Sequence, residues 1–189
     1  LNIPHPQCTT NVKKIDAIVG MKEMKKNNDK FDLVFFDPPY GDSVPYLEFS
    51  AIWNSFLKDF PDASTDISVS NRLPKNEAWD RYYKDLQQIL KAIQGVLKDT
   101  GKLVITFNNN DDRAWKSLIN ALQKNNFLCE YVTYQIPAVI SSKAQFSVKG
   151  SYISDIYSVY QYSHVAVPTK SLEPVSNALI KCALARRGV

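Results

Sequence analysis

The stretch FDLVFFDPPY, residues 31–40, sets the expectation for the fold. Its first six residues, Phe31–Phe36, are apolar apart from Asp32, are rich in Phe, and are followed closely by two prolines. A run of this length and composition predicts a buried strand of a parallel sheet, with the turn Asp37–Tyr40 at its carboxyl end. Open α/β sheets bind their ligands beyond the carboxyl ends of their strands, so we expect the function to lie at this turn.

Helical and strand patterns alternate on both sides of this stretch. Apolar residues at three- and four-residue intervals predict four helices, over 46–57, 77–98, 115–126 and, near the C-terminus in 170–189, 174–187. Short apolar or alternating runs predict three further strands, over 102–107, 127–136 and 152–162. Residues 12–30 predict a short strand, a turn at Gly20 and a short helix. The alternation predicts an α/β fold with a mostly parallel sheet, and the last two strands, which no helix separates, predict a closing antiparallel pair.

Length and composition exclude several classes of protein. The 189 residues, 44% hydrophobic and 22% charged, fit one globular domain and exclude disorder, collagen-like repetition and coiled coil. No apolar run approaches the roughly 20 residues that a membrane helix needs. Three distant cysteines (Cys8, Cys129, Cys182) without a CxxC pair make a disulfide framework or a metal site unexpected, and we expect a cytoplasmic protein. The net charge of +4 is compatible with nucleic acid but does not require it.

The four residues of the turn supply a specific set of groups. Pro38 and Pro39 fix two φ angles and lack N–H groups, so nearby carbonyls can face a ligand without competing donors. Asp37 adds a carboxylate and Tyr40 an aromatic face. Together they suit a planar group that carries an amine, whose hydrogens the carboxylate and a carbonyl accept while the ring stacks on the tyrosine. The alternative interpretation is a strand that ends at a Pro-Pro turn with an Asp cap.

The amine of adenine or cytosine needs such acceptors if it is to be methylated. Its lone pair is delocalised into the ring, which makes it a poor nucleophile. Acceptors on both hydrogens favour a pyramidal nitrogen and disperse the positive charge that develops during attack. The base must also leave the duplex, so a stacking ring beside the amine is expected.

The segment FDLVFFDPPYGDSVPYLEFSAIWNSFL resembles the catalytic region of amino-group DNA methyltransferases. It is most similar to the adenine-specific type, in which DPPY is followed by the pattern Y-x-x-x-S-x-x-W, here Tyr46, Ser50 and Trp53. LKDTGKLVITF, AWKSLINALQKNNF and DIYSVYQY continue the resemblance, which covers roughly Val12 to Tyr162.

The resemblance implies a Rossmann-like, S-adenosylmethionine-dependent methyltransferase fold whose sheet is closed by an antiparallel hairpin. It implies that the Asp37 side chain and the Pro38 carbonyl accept the amine hydrogens and that the Tyr40 ring stacks on the base, so that Asp37–Tyr40 is the catalytic turn. It places Asp16 and Ala17 against the adenine ring of S-adenosylmethionine, with Asp37 also lining the cofactor pocket. For Asp16, a strand end or a helix cap is an equal alternative.

One departure from the family is serious. The glycine-rich Phe-x-Gly-x-Gly cofactor turn is missing, because no two of the six glycines are two residues apart. Since the chain also begins with Leu1, we expect 1–189 to be a single, partial catalytic domain that is incomplete at its N-terminus. The missing part, or another subunit, is then an expected partner, together with DNA and a cognate restriction endonuclease. Alone, the chain is expected to bind the cofactor weakly or not at all.

Two polar segments are candidates for holding nucleic acid. The loop 59–76 follows the helix after the turn and carries Arg72 and Lys75. The linker 141–149 carries Lys143. Tyr46, which stands close to the turn in sequence, is a further candidate for contact with the substrate. The loop is equally compatible with an insertion that has no specific role.

Three functions remain open from the sequence. The first is a DNA amino-methyltransferase, with adenine N6 expected ahead of cytosine N4. The second is a ribosomal RNA guanine-N2 methyltransferase, whose strand ends in the same four residues. The third is a non-catalytic nucleic-acid-binding or assembly module that keeps the fold.

Overall fold

The computed structural model describes residues 9–60, 62–109, 111–135 and 155–165. Its elements, in chain order, are α1 (Ala17–Lys26), β1 (Phe31–Phe36), α2 (Tyr46–Leu57), a 3₁₀ turn (Ala63–Thr65), α3 (Lys75–Val96), β2 (Leu97–Phe107), α4 (Asp112–Lys124), β3 (Phe127–Gln135) and β4 (Asp155–Tyr162). The predicted helix in 170–189 and the residue Lys143 lie outside the described residues.

The four described strands form one sheet in the order β1-β2-β4-β3. β1 and β2 run parallel, with Phe36 opposite Ile105, and β4 runs antiparallel to both β2 and β3. β1, β2 and β3 therefore point the same way, and β4 alone is reversed. This confirms the α/β fold with a mostly parallel, Rossmann-like sheet and a closing antiparallel hairpin.

The core lies between one face of the sheet and the helices α3 and α4. Alternate residues of β2, namely Leu103, Ile105 and Phe107, are fully buried because they pack against apolar side chains of those helices. The helix residues in this cluster are Tyr82, Leu86, Leu90, Ile93, Leu118 and Leu122. The long helix α3 thus fixes β2, and β2 in turn fixes the carboxyl end of β1.

β1 corrects part of the sequence interpretation. It is a parallel strand, as expected, but it lies at the edge of the described sheet and is only half-buried. Leu33 and Phe35 point away from the core and are 57% and 58% exposed, whereas Val34 and Phe36 pack against it. No residue of β1 is fully buried, so the prediction of a buried strand was wrong, although Val34 and Phe36 are half-buried against the core.

The helix α2 was predicted with correct bounds, but its apolar face is not buried. None of its residues is buried, and Trp53 and Phe56 are 70% and 80% exposed. Apolar periodicity predicts that a helix forms but does not by itself say what covers it.

Residues 12–30 also differ from the expectation, because α1 occupies Ala17–Lys26 and Gly20 lies inside it. The predicted strand and the turn at Gly20 were wrong. The side chain of Asp16 accepts a hydrogen bond from the Val19 N–H at 2.9 Å, which caps the helix and sets its start. None of the helices in the described part of the chain is long and apolar enough to cross a membrane.

Candidate active site

The turn Asp37–Tyr40 lies at the carboxyl end of β1, where the sequence predicted the site. Its residues differ sharply in exposure. Asp37 is exposed, Pro38 is fully buried, and Pro39 and Tyr40 are half-buried. The turn therefore presents the Asp37 carboxylate to solvent, whereas Pro38, with the carbonyl that the resemblance implies as an acceptor, lies beneath the surface.

Glycine is required at the end of this turn. Gly41 has a φ of +63°, a left-handed conformation that residues with a Cβ rarely adopt. A Cβ at this position would also lie 3.0 Å from Trp79 and 3.1 Å from Asn109. The chain can turn here closely against α3 and β2 only because residue 41 has no side chain.

The carbonyl of Pro39 is held by the core. The Tyr82 hydroxyl donates to it at 2.8 Å, and the Gly41 N–H donates to it at 3.0 Å. Tyr82 is 1% exposed, and burial raises the pKa of its hydroxyl, so it remains a protonated donor at neutral pH. A side chain of α3 thus reaches the turn from below.

Asn109 holds the next carbonyl from the neighbouring strand. It follows β2, is buried, and donates from Nδ2 to the Tyr40 carbonyl and, at 3.1 Å, to Ser43 Oγ. Its Oδ1 accepts from the Asp111 N–H at 2.6 Å, and its own carbonyl accepts from Trp115 Nε1 at 2.8 Å. The Asn109 side chain is therefore fixed and cannot rotate away from the turn without losing these bonds.

The Tyr40 ring lies over the carboxyl end of β2. It meets Phe107 edge-on, with 5.3 Å between ring centroids, and its hydroxyl is 3.5 Å from Thr106 Oγ1. The ring is partly buried in the core cluster and partly accessible. A ring supported in this way can serve as a stacking surface without losing much conformational freedom.

Tyr46, the first residue of α2, shares the rim of the turn with Asp37. Partial burial raises the pKa of the Tyr46 hydroxyl, and the negative charge of Asp37 raises it further. The structure therefore brings Tyr46 into the electrostatic field of the Asp37 carboxylate.

The loop 59–76 is folded against the site. The Arg81 guanidinium donates to the carbonyls of Ala63, Ser64 and Asp66, and the Val69 N–H donates to the Gly41 carbonyl at 3.0 Å. Such bonds tie both the start and the middle of the loop to the protein.

The two basic residues predicted in this loop differ in availability. Arg72 forms ion pairs with Asp66 at 2.8 Å and with Glu48 at 3.1 Å, so its charge is already engaged within the protein. Lys75 is exposed at the first position of α3. Of this pair, Lys75 is the one that forms no ion pair with the described residues.

Asp16 and Ala17 lie at the start of α1, both exposed. The neighbouring Lys14 pairs with Asp59 at 2.7 Å, just after α2, and the far end of α1 packs with Lys25 beside Gly95. The start of α1 therefore faces the same end of the sheet as Asp37. The helix-cap role that the sequence left open for Asp16 is the one the structure displays.

Sequence reasoning overlooked Tyr82 as a core contact of the turn and did not consider Asn109. Asn109 could have been predicted in the same way as Asp37, because it follows the carboxyl end of the adjacent parallel strand, where open α/β sheets bind their ligands. For Tyr82, the sequence indicates only a place on the apolar face of α3. A helical pattern does not predict that a tyrosine hydroxyl donates a hydrogen bond to a carbonyl distant in sequence.

The chain is similar to several solved structures. No protein-family model matches the sequence, and no curated protein matches it significantly. Among solved structures, the chain is similar to a protein described as a SAM-dependent methyltransferase from Streptococcus mutans (13% identity, TM-score 0.43, 77% of this chain). It is also similar to SMU.776, described as a methyltransferase complexed with SAH (12%, 0.44, 77%), and to M1.HpyAVI in complex with SAM (13%, 0.45, 82%).

The chain spans 29%, 30% and 56% of the lengths of these three structures, respectively.

Proposed function

We propose that the turn Asp37–Tyr40 binds the exocyclic amine of a nucleic-acid base for methylation, with DNA adenine N6 as the target ahead of cytosine N4. S-adenosylmethionine is the methyl donor that the sequence resemblance implies. The proposal is supported by the resemblance of the turn and of α2 to amino-group DNA methyltransferases and by the geometry of the turn itself.

The exposure of the Asp37 carboxylate is the observation that carries this proposal. The carbonyls of Pro39, Tyr40 and Gly41 each accept a hydrogen bond from the protein. Among the described residues, none donates to the Asp37 side chain. A carboxylate held in this way on a rigid turn is a preorganised acceptor for an N–H group.

Asp37 acts on the amine in two ways. It accepts an N–H hydrogen bond, and its negative charge stabilises the positive charge that builds on the nitrogen in the transition state. The proton leaves the nitrogen during or after transfer and can pass to solvent, since Asp37 is exposed. Pro38 is buried, so its carbonyl becomes the second acceptor only if an entering base displaces the side chains that cover it.

The described residues do not form a complete cofactor site. The chain contains no glycine-rich turn that would allow close backbone approach to the cofactor. In this proposal the remaining contacts come from a segment outside the described residues or from a partner subunit.

The exposed apolar surfaces support such a partner. Leu33 and Phe35 on β1 and Trp53 and Phe56 on α2 are all more than half exposed. Parallel strands are usually covered on both faces, so an apolar edge strand with one open face is suited to contact with further polypeptide. The cognate restriction endonuclease stays a prediction from the resemblance.

Methyl transfer by the complete gene product tests the function directly. We expect mass spectrometry of nucleosides from treated DNA to show N6-methyladenine, and Asp37→Ala to lower the rate about 10²- to 10³-fold because one charge-stabilising acceptor is lost. Asp32→Ala is the matched control, since Asp32 is an exposed carboxylate at the opposite end of β1, paired with Lys98. N2-methylguanine in RNA as the product, or unchanged methylation by Asp37→Ala, would contradict the proposal.

A further inference from the structure

We propose that Tyr82 is a positioning residue for base recognition, which fixes the Tyr40 ring through the carbonyl of Pro39. This inference rests on the proposed function, in which Tyr40 stacks on the base. It assigns a role in binding to a residue that is itself buried in the core and contacts no ligand.

The backbone of the turn has few soft dihedral angles. The rings of Pro38 and Pro39 fix both φ values, which leaves their ψ angles as the rotations that aim the following residues. The ψ angle of Pro39 sets the direction of its carbonyl and, with it, the orientation of the peptide plane that leads into Tyr40. A hydrogen bond to that carbonyl therefore restrains the peptide plane from which the Tyr40 side chain projects, and so limits the directions open to the ring.

The Tyr82 hydroxyl makes this bond at 2.8 Å from a rigid position. Tyr82 is 1% exposed, its ring meets the Trp79 ring edge-on with 5.8 Å between centroids, and it belongs to the core cluster of α3 and β2. Such a side chain has no alternative rotamer without repacking the core. The donor is thus fixed by the core and is independent of any ligand.

Asn109 completes the arrangement on the other side of Tyr40. It donates to the Tyr40 carbonyl and so restrains the ψ angle of Tyr40 itself. The peptide units before and after the ring are therefore anchored to different elements, Tyr82 on α3 and Asn109 after β2. A stacking ring anchored at both flanks loses little entropy when a base arrives, which favours binding.

Removal of the Tyr82 hydroxyl is expected to leave the fold intact. The Gly41 N–H also donates to the Pro39 carbonyl, at 3.0 Å, so Tyr82→Phe does not leave that carbonyl unpaired. Tyr83→Phe is the matched control, because Tyr83 is the adjacent residue, packs against the same core, and makes no hydrogen bond through its side chain to the described residues.

Selective labelling isolates the carbonyl in question. The sequence contains Pro-Tyr only at Pro39-Tyr40 and Pro45-Tyr46. A chain with ¹³C-carbonyl proline and ¹⁵N tyrosine therefore gives two cross-peaks in a carbonyl-to-amide NMR spectrum. We expect Tyr82→Phe to shift the Pro39 peak and leave the Pro45 peak in place, and Tyr83→Phe to shift neither.

A binding measurement connects the carbonyl to recognition. DNA duplexes with one unpaired adenine are compared with duplexes that have an abasic site at the same position, and the ratio of the two Kd values reports stacking. Base–aromatic stacking is worth about 1–3 kcal/mol, so we expect the wild-type chain to prefer adenine about five- to 150-fold. Tyr82→Phe should lower this ratio several-fold, and Tyr83→Phe should not.

Replacement of Tyr82 by p-aminophenylalanine tests rescue, because the amine keeps a donor at the same position. We expect it to restore the Pro39 peak and the stacking ratio toward wild type. A Pro39 peak that does not move in Tyr82→Phe, or an unchanged stacking ratio in a folded variant, overturns the positioning role. If the Pro39 peak moves but the wild-type chain shows no preference for adenine, it is the proposed function that fails.

Discussion

At the residue scale, Gly41 determines whether the turn can exist. Its positive φ lets the chain reverse immediately after Tyr40, and its missing side chain leaves room for Trp79, Asn109 and Ala114. Two requirements, one on the backbone and one on space, thus coincide at a single position. Few other residues of the site are as constrained, because a polar side chain can be replaced by another donor of similar reach.

We expect Gly41→Ala to destabilise the protein by about 2–5 kcal/mol. A left-handed conformation costs a residue with a Cβ about 1–2 kcal/mol, and forcing a methyl group into a packed site costs a further 1–3 kcal/mol. Urea unfolding measures the change. Gly20→Ala is the control, because Gly20 lies inside α1, where alanine is favoured by about 1 kcal/mol, and the nearest atom belongs to the exposed side chain of Ile15, 3.1 Å away. Equal stability of Gly41→Ala and wild type would contradict the structure of the turn.

At the element scale, the start of α4 links the site to the core. Asp111 caps α4 by accepting from the Arg113 N–H at 2.9 Å, and its carboxylate also pairs with the Arg113 side chain. The Arg113 guanidinium lies over the Trp79 ring, 4.7 Å from its centroid. Since Asn109 stands two residues before this cap, the cap also helps to hold the side chain that anchors Tyr40.

The cap of α4 should make stability depend on pH. The hydrogen bond from Arg113 holds the pKa of Asp111 below its ordinary value. The folded state therefore favours the charged carboxylate, and this stabilisation is present above about pH 4 and is lost as the pH falls through the lowered pKa. Asp111→Ala should cost about 1 kcal/mol at pH 7.

Urea unfolding at several pH values measures this effect. Asp111→Asn keeps a capping oxygen but has no charge, so its difference from wild type should be largest at pH 7 and shrink toward pH 3. A difference that is the same at both pH values would show that the charge does not contribute. Asp112→Asn is the control, because Asp112 is exposed and stands at the first position of the same helix.

The sequence predicted the helices and strands themselves more accurately than it predicted their burial. The helices α2, α3 and α4 and the strands β1, β3 and β4 were found within three residues, because each has a clear apolar pattern. β2 starts at Leu97, five residues earlier than predicted, in a stretch that the sequence assigned to the end of the preceding helix.

In residues 12–30 the predicted short helix is present, but the predicted strand is absent. Ile15, Ile18 and Val19 suggest a strand, whereas the Asp16 side chain caps a helix that already includes Ile18 and Val19. A local sequence pattern does not show whether one capping hydrogen bond outweighs the strand preference of β-branched residues.

The candidate site was predicted to a similar degree. Position and exposure of Asp37 followed from a strand end and a motif, because both are local in sequence. The contacts of Tyr82 and Asn109 with the turn join residues 43 and 69 positions apart. Contacts of that range depend on the packing of α3 and β2, which no local pattern contains.

At the scale of the whole molecule, the two faces of the sheet are unequal. One face packs on α3 and α4, and the other leaves Leu33 and Phe35 more than half exposed. α2, which follows the turn in sequence, adds Trp53 and Phe56 to the exposed apolar surface. An enzyme that must exclude water from its reacting amine has reason to cover such surfaces, which fits a site completed by further polypeptide.

The affinity of the chain alone for the cofactor tests whether further polypeptide is needed to complete the site. We expect titration calorimetry with S-adenosylmethionine to detect no binding in the micromolar range, because the chain has no Phe-x-Gly-x-Gly turn. The stacking preference for unpaired adenine should nevertheless be present, since Asp37, Tyr40 and their anchors all lie within the described residues. Micromolar binding of the cofactor would mean that this chain forms a cofactor site without a glycine-rich turn. It would contradict the proposal that a partner is needed. Adenine stacking without cofactor binding would instead separate the two halves of the chemistry physically, with the base on this chain and the methyl donor on its complement.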